Sequence, residues 1–212
     1  PDVGASAAIL FDPKSGTILY AKNADSQRAP ASTTKIMTAI LTLERCSLGE
    51  SVTVSRRAAT INGSRVGLRE GEVYTVEKLL WGLLLLSGND AAIALAEHIA
   101  GSVEEFAKYM NIRAAELGCR QTHFVNPHGL SDPNHYTTVR DLAIMASHAL
   151  KYPLFQEIVS SKEKEIPWQQ SFAKYLKNTN KLLWIMPDAD GVKTGTTNLA
   201  GACLVSSATR DG

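Results

Sequence analysis

Apolar residues recur along this chain with two different periods, and the change of period divides it into segments. Residues 7–11 and 17–21 are short apolar stretches separated by a turn rich in Asp, Pro, Ser and Gly, which predicts a β-hairpin. Residues 192–196 and 200–208 show a similar pattern near the end of the chain. The sequence therefore predicts a hairpin at each end.

The middle of the chain has the period of α-helices, because apolar residues return every three or four positions. Five helices are predicted in this way, at about residues 33–45, 75–86, 91–100, 103–117 and 139–150. Thr138 and Asp141 offer the last of them an N-cap and an acidic first turn. The order of the predicted elements, with strands first, helices in the middle and strands last, predicts an α+β fold in which helices are inserted into a sheet. We expect one domain, 1–212, with a sheet-containing lobe of about 1–45 and 160–212 and a helical lobe of about 46–159.

The composition is that of an ordinary globular protein, and it narrows the function mainly by exclusion. The 212 residues are 44% hydrophobic and 20% charged, enough for a substantial core. A net charge of +1 gives no excess of cations for nucleic acid or an anionic membrane. The longest apolar run, residues 79–86, is far shorter than the roughly 20 residues that span a bilayer, so we predict a buried core helix there. Cys46, Cys119 and Cys203 are expected to be small buried side chains, and any export signal or membrane anchor to lie outside the chain.

Ser32 and Lys35 form the pattern S-x-x-K where a helix is predicted to begin. A lysine is unfavourable there, because the helix N-terminus is partially positive. Residues three apart share one face of a helix, so the amine can reach the hydroxyl, and a neutral lysine is a base that activates serine. The alternative is a plain N-cap at Ser32 beside a solvated lysine. The same pattern recurs twice, at Ser161 with Lys164 and at Ser171 with Lys174.

Two further patterns point to a cleft. Ser87 and Asn89 lie between two predicted helices, where a hydroxyl could relay a proton and a carboxamide could hold a substrate amide; helix capping is the alternative. Lys193, Thr194 and Gly195 lie on a predicted strand. A glycine in a strand often marks the close approach of a ligand, and an exposed strand can accept a peptide as an added strand. A bulge before a turn is the alternative.

The histidines do not indicate a metal site. His123, His128 and His135 are close in sequence, but their spacing matches no common pattern of metal ligands. The stretch 126–129 has the composition of a turn. A Ser-His-Asp triad also lacks its G-x-S-x-G elbow. We therefore expect neither a metal nor another cofactor.

The three patterns S-x-x-K, S-x-N and K-T-G occur in one order, which is the signature of penicillin-recognising serine enzymes. The chain resembles the low-molecular-mass penicillin-binding proteins that are D-alanyl-D-alanine carboxypeptidases. The resemblance extends over nearly the whole chain, through residues 30–38, 87–92, 126–130, 136–142 and 191–196. It implies a β-lactamase/transpeptidase-like fold, an antiparallel sheet flanked by helices with an inserted helical lobe. Relatives have further strands and a terminal helix after K-T-G, which we expect to be missing from this chain.

The resemblance also implies a role for each residue of the acylation chemistry. Ser32 is the expected nucleophile and Lys35 its general base, with Ser87 as the proton relay. The backbone N–H groups of Ser32 and Thr196 are the expected oxyanion hole. Lys193 is expected to help keep Lys35 neutral.

The resemblance assigns the remaining residues to substrate binding. Asn89 is expected to hold a substrate amide, while Lys193 and Thr194 meet the terminal carboxylate of the peptide or of a β-lactam. Gly195 leaves room for the substrate beside the strand.

The implied function is removal of the terminal D-alanine from peptidoglycan stem pentapeptides through an acyl-enzyme. The expected partners are a stem peptide ending in D-Ala-D-Ala and β-lactam inhibitors, without nucleic acid, at the outer face of the bacterial cytoplasmic membrane. A DD-endopeptidase would use the same site. A β-lactamase usually needs an E-x-x-L-N pattern, which we do not find, and the intact serine and lysines argue against a silent peptidoglycan-binding module.

Overall fold

Helices form the centre of the molecule, which a computed structural model describes for residues 3–168 and 175–210. In chain order they are α1 (Lys35–Arg45), α2 (Arg56–Thr60), α3 (Val76–Leu85), α4 (Asn89–Ala100), α5 (Val103–Glu116), α6 (Val139–Ala149), α7 (Pro153–Ser160) and α8 (Leu182–Ile185). Helix α3 and the first two turns of α4 are buried on nearly every side, and α1 packs against both. The predicted core helix at 79–86 is therefore confirmed.

The five predicted helices correspond to α1, α3, α4, α5 and α6, with ends displaced by one or two residues. Side-chain hydroxyl groups cap several of these helices and thereby fix the residue at which each begins. The Thr138 Oγ1 accepts from the Asp141 N–H at 3.1 Å, as predicted, and Thr75 and Ser102 cap α3 and α5 in the same way. Local cap chemistry thus sets the boundaries of the helices that surround the site.

All strands pair antiparallel. They are β1 (Ala8–Asp12), β2 (Thr17–Lys22), β3 (Ser51–Thr53), β4 (Val73–Thr75), β5 (Glu163–Glu165), β6 (Tyr175–Lys177), β7 (Ala189–Thr197) and β8 (Gly201–Ala208). Among the described residues they form four two-stranded ladders, β1–β2, β3–β4, β5–β6 and β7–β8. The first and last are the predicted hairpins, and both pack against α6. The other two were not predicted, because a three-residue strand is too short to show alternation.

Strand β7 positions the functional residues, because it packs against a 3₁₀ turn, Ala31–Thr34, that leads into α1. No helix in the described ranges is both long enough and apolar enough to cross a membrane. Cys119 is buried as expected, whereas Cys46 and Cys203 are only partly buried, and all three are free thiols.

Candidate active site

Two glycines hold the 3₁₀ turn Ala31–Thr34 from opposite sides. A Cβ added to Gly195 of β7 would lie 2.6 Å from the Ser32 backbone nitrogen, so only glycine allows this strand to approach so closely. Gly129 has φ +87° and packs against the Ala31 carbonyl, where a side chain would overlap the backbone. The turn presents Ser32, half-buried, at the start of α1.

Ser32 does not cap the helix. Pro30 is the residue that precedes the turn, and no side chain caps the turn or α1. Lys35 is the first residue of α1 and is fully buried. The alternative of an N-cap beside a solvated lysine is therefore wrong.

The Lys35 amine lies at the meeting point of three segments. Its Nζ donates to the Asn89 Oδ1 at 2.7 Å and to the His128 carbonyl oxygen at 2.8 Å. The Ser32 Oγ lies 3.0 Å from the same nitrogen. The two shorter contacts are to atoms that can only accept, whereas a serine hydroxyl can also donate. The geometry thus suits an amine that keeps two protons and directs its lone pair at Ser32.

Burial and a neighbouring cation hold the pKa of Lys35 well below its usual range. Desolvation is the larger cause and the charge of Lys193 the next, while the Asp90 carboxylate opposes both. Burial also lowers the pKa of Lys193 to about 7. Both amines therefore give up a proton far more readily than a lysine in water.

Ser87 and Asn89 lie at the turn into α4 and are both buried. Ser87 adopts φ +61°, a left-handed conformation uncommon for residues other than glycine. Its Oγ has no hydrogen-bond partner within the described part of the chain. The Asn89 Nδ2 donates to the Asn62 carbonyl at 2.8 Å, which fixes the orientation of the oxygen that meets Lys35. An unpartnered buried hydroxyl is a costly group that a substrate can satisfy.

Asp90 builds the adjacent wall of the cleft, a role that the sequence did not indicate. Its two carboxylate oxygens accept backbone N–H groups of Val66, Gly67 and Leu68 at 2.8–3.1 Å, and one also accepts the Ala91 N–H at 2.9 Å. The carboxylate is completely buried. Asp90 thus binds three consecutive N–H groups of the loop before β4, whose Val66 and Leu68 side chains are also buried.

Residues 126–131, the back loop, form the other wall. The Asn126 Oδ1 accepts the N–H groups of His128 and Gly129 at 3.2 and 2.7 Å, which confirms the predicted turn. The Thr38 hydroxyl donates to the Pro127 carbonyl at 2.6 Å. This anchoring places the His128 carbonyl on Lys35, a contact that no side-chain pattern could reveal.

Two histidines near the back loop are neutral. Burial, followed by the charge of Lys35, lowers the pKa of His128 to about 3. Burial lowers the pKa of His135 to about 4. The His135 Nδ1 accepts the Val125 N–H at 3.1 Å, so its Nε2 carries the proton and donates to the Thr34 hydroxyl at 2.8 Å. His135 thereby supports the last residue of the 3₁₀ turn.

The K-T-G segment lies along β7 beside the 3₁₀ turn. Lys193 is buried and its Nζ donates to the Thr194 carbonyl at 2.9 Å. The Thr194 and Thr179 hydroxyl oxygens are 2.5 Å apart at the exposed rim. Thr196 is exposed and pairs with Ala202 of β8.

The second S-x-x-K pattern has a different environment. The Ser161 Oγ donates to the Glu157 carbonyl at 2.7 Å. The Lys164 Nζ is 3.8 Å from a Glu157 carboxylate oxygen and lies over the ring of Trp81. The third pattern, Ser171 with Lys174, lies outside the described residues. Of the two described patterns, the one at Ser32 therefore has the buried amine.

The three histidines that are close in sequence belong to no group of metal-ligating atoms within the described ranges. The group found there consists of Cys46, Glu50 and His98. It lies at the opposite ends of α1 and α4 from Lys35 and Asn89.

Comparisons with a family profile and with individual known proteins all indicate the same family. A D-alanyl-D-alanine carboxypeptidase family profile, peptidase S11, matches residues 1–212. The carboxypeptidase DacF of Bacillus subtilis is 42% identical over 209 residues, which cover 96% of this chain and 54% of DacF. DacC of Escherichia coli is 41% identical, with 99% of this chain and 54% of DacC covered. The chain thus spans about half the length of the curated relatives it matches.

Solved structures agree with this relationship over the whole chain. The Streptomyces K15 DD-transpeptidase superposes with a TM-score of 0.93 and 37% identity, covering 100% of this chain and 87% of the other. The carboxypeptidase DacD of Francisella tularensis gives 0.93 and 32%, covering 100% and 64%. The predicted α+β, transpeptidase-like fold is confirmed. The chain belongs to the D-alanyl-D-alanine carboxypeptidase family.

Proposed function

We propose that the chain is the catalytic part of a serine DD-carboxypeptidase that removes the terminal D-alanine from peptidoglycan stem peptides. The observation that carries this proposal is the buried Lys35 amine, 3.0 Å from the Ser32 hydroxyl and bonded to two groups that can only accept. Family membership supports the same activity. β-Lactams would acylate the same serine and act as inhibitors.

In the proposed acylation, the neutral Lys35 amine takes the proton of Ser32 as its Oγ attacks the carbonyl carbon of the penultimate D-alanine. The Oγ–C bond forms, the peptide C–N bond breaks, and the departing amine of the terminal D-alanine receives that proton. Ser87 relays it, since its buried hydroxyl has no partner within the described residues. In the hydrolysis, water attacks the ester carbon and gives a proton to the Lys35 amine, the C–Oγ bond breaks, the Ser32 Oγ takes that proton back, and the shortened peptide leaves with a new carboxyl group.

The oxyanion of the tetrahedral intermediate would be held by the backbone N–H groups of Ser32 and Thr196. The close approach at Gly195 supports this assignment, because it brings β7 against the Ser32 nitrogen. The start of the helical segment also directs partial positive charge at the developing negative charge. No cofactor takes part in these steps.

The substrate would bind as an added strand along β7, with its terminal carboxylate at Lys193 and Thr194. Asn89 would bind a substrate amide while its oxygen stays on Lys35. The site residues come from both proposed lobes of a single domain, because Ser32 and Lys193 lie in 1–45 and 160–212 and Asn89 in 46–159. We place the protein at the outer face of the cytoplasmic membrane, where its substrate is exposed.

Related activities differ in the peptide that acylates the serine or in the group that then removes the acyl group from it. The similarity to a DD-transpeptidase favours transfer to an amine as the second candidate. A DD-endopeptidase would cut cross-linked peptides at the same serine. A β-lactamase would need a carboxylate to activate water quickly, and the buried Asp90 uses both oxygens for backbone N–H groups.

The test combines labelling by a fluorescent penicillin with intact mass measurement and release of D-alanine from a stem pentapeptide. We expect a stable one-to-one adduct and D-alanine release, both lost in Ser32→Ala. Ser161→Ala is the matched control, because it removes the serine of the second S-x-x-K pattern and should leave labelling unchanged.

Other results would overturn the proposal in distinct ways. Rapid release of opened penicillin would indicate a β-lactamase. Absence of an adduct on the folded chain would indicate a silent module. A labelled Ser32→Ala variant would exclude Ser32 as the nucleophile.

A further inference from the structure

Cys46, Glu50 and His98 form a cluster of potential metal ligands, here called the CEH cluster, that the proposed chemistry does not use. One ligand atom from each, a sulfur, a carboxylate oxygen and an imidazole nitrogen, lies within 4.8 Å of the other two. The Glu50 Oε2 is 3.0 Å from the His98 Nε2. Two side chains four residues apart, Cys46 and Glu50, thus meet the distant His98 at one partly exposed place.

We propose that the CEH cluster binds a zinc ion that joins two helices. Thiolate, imidazole and carboxylate are the ligands that Zn²⁺ prefers, and three protein ligands with a water in the fourth position make a common tetrahedral set. Zinc bonds of about 2.0–2.3 Å place the ligand atoms of a tetrahedron roughly 3.3–3.7 Å apart. To reach that geometry, the widest separation in the cluster needs to shorten by at most roughly 1.5 Å, while the 3.0 Å distance between the Glu50 Oε2 and the His98 Nε2 needs to lengthen slightly.

The surroundings of the ligands support this assignment. The Glu50 Oε1 accepts the Ser47 N–H at 2.5 Å, which orients the carboxylate and leaves Oε2 directed at His98. Bonds of this kind to the outer side of a ligand are typical of metal sites. Zinc binding would replace the thiol proton of Cys46 and release it to water, and it would displace the proton shared by the His98 Nε2 and the Glu50 Oε2, which moves to the Nδ1 of a neutral His98 ring or to water. No oxidation state changes.

The position of the cluster indicates what the metal would do. Cys46 follows the last residue of α1, and His98 lies in the last turn of α4. The same two helices carry Lys35 and Asn89 as their first residues. An α-helix of 11 residues is about 16 Å long, so the ion would join the two helices far from the reacting atoms. It would stabilise the fold without entering the acylation chemistry.

The first test is Co²⁺ and Zn²⁺ titration of the whole chain, kept reduced with a phosphine. We expect one Co²⁺ per chain with a thiolate-to-cobalt charge-transfer band that Zn²⁺ removes. Cys46→Ser should abolish the band, and His98→Ala should weaken Zn²⁺ binding at least about tenfold, the lower end of what the loss of an outer-shell partner costs. Cys203→Ser and His123→Ala are the matched controls and should bind as the parent does.

The second test is thermal unfolding with and without Zn²⁺. Zinc should raise the unfolding temperature of the parent and of both controls, but not that of Cys46→Ser, while the rate of penicillin acylation stays the same. Zinc binding that survives both Cys46→Ser and His98→Ala would overturn the proposal. So would a cobalt complex of the parent that lacks the thiolate band.

Discussion

The two ends of helix α1 place charged side chains in opposite environments. At its start, the Lys35 amine is fully buried and its three bonded neighbours are uncharged. At its end, the Glu44 carboxylate accepts from Arg113, Tyr152 and His148, at 2.8 Å, 2.8 Å and 3.1 Å. Lys35 also has the second cation Lys193 as an electrostatic neighbour, whereas Glu44 has an opposite charge.

The difference separates residues that hold the helices together from residues poised to react. The Glu44 cluster, Glu44 with Arg113, His148 and Tyr152, joins α1 to α5, α6 and the start of α7. Burial raises the pKa of Glu44, but the bonds from these partners outweigh it and the pKa is lowered. The surroundings therefore stabilise the charged form of Glu44, whereas those of Lys35 shift its equilibrium toward the neutral form.

The largest expected effect comes from a substitution at the start of α1, at Lys35, and it is on the acylation rate. Lys35→Met removes the proposed base, and we expect the second-order rate of penicillin acylation to fall by about 10²–10⁴-fold, the usual contribution of a positioned base. Lys164→Met, which alters the second S-x-x-K pattern, should leave the rate unchanged. A Lys35→Met rate within tenfold of the parent would contradict the role of base.

A substitution at the other end of α1, at Glu44, should have a smaller effect, on stability rather than on the acylation rate. Glu44→Gln removes the charge that faces Arg113, and we expect the free energy of unfolding in urea to fall by about 1 kcal/mol, the upper end for an ion pair that solvent screens. The acylation rate should not change, because Glu44 lies at the far end of α1. A loss of acylation with unchanged stability would contradict the division of roles between the two ends.

The smallest expected effect is on the pH dependence of catalysis. The kcat/KM for peptide cleavage should rise as Lys35 loses its proton, at a pH well below 10.5, and fall as Lys193 loses its own above about 7. Each limb should change the rate by about tenfold per pH unit away from the optimum. In Lys193→Arg the falling limb should disappear, since arginine stays charged. A profile in the parent that keeps rising to pH 10 would contradict the lowered pKa of Lys193.

The sequence predicted the parts of the fold that carry a long, regular pattern. The five periodic helices and the two hairpins follow from local burial, and Thr138 shows that cap chemistry can be recognised as well. The short strands β3 to β6 and the helices α2, α7 and α8 were missed. Elements of three to eight residues are stabilised by contacts with residues distant in sequence, and the pattern of a short segment does not reveal those contacts.

For the site, sequence reasoning proposed side chains but not their supports. Motif order and a family resemblance pointed to Ser32, Lys35 and Asn89, and the structure brings these three into contact. The His128 carbonyl could not be predicted, because every residue carries one and only the fold selects it. The left-handed backbone at Ala31 and Ser87 was also missed, since neither residue type favours that conformation.

Asp90 has a consequence for protein engineering. The segment 66–68 donates three backbone N–H groups to this one carboxylate, and it also buries the side chains of Val66 and Leu68. Its conformation therefore depends on Asp90 and on these two buried side chains. Arg65, exposed beside this segment, can therefore be varied with little expected effect on the conformation of the loop, provided that Asp90 is kept.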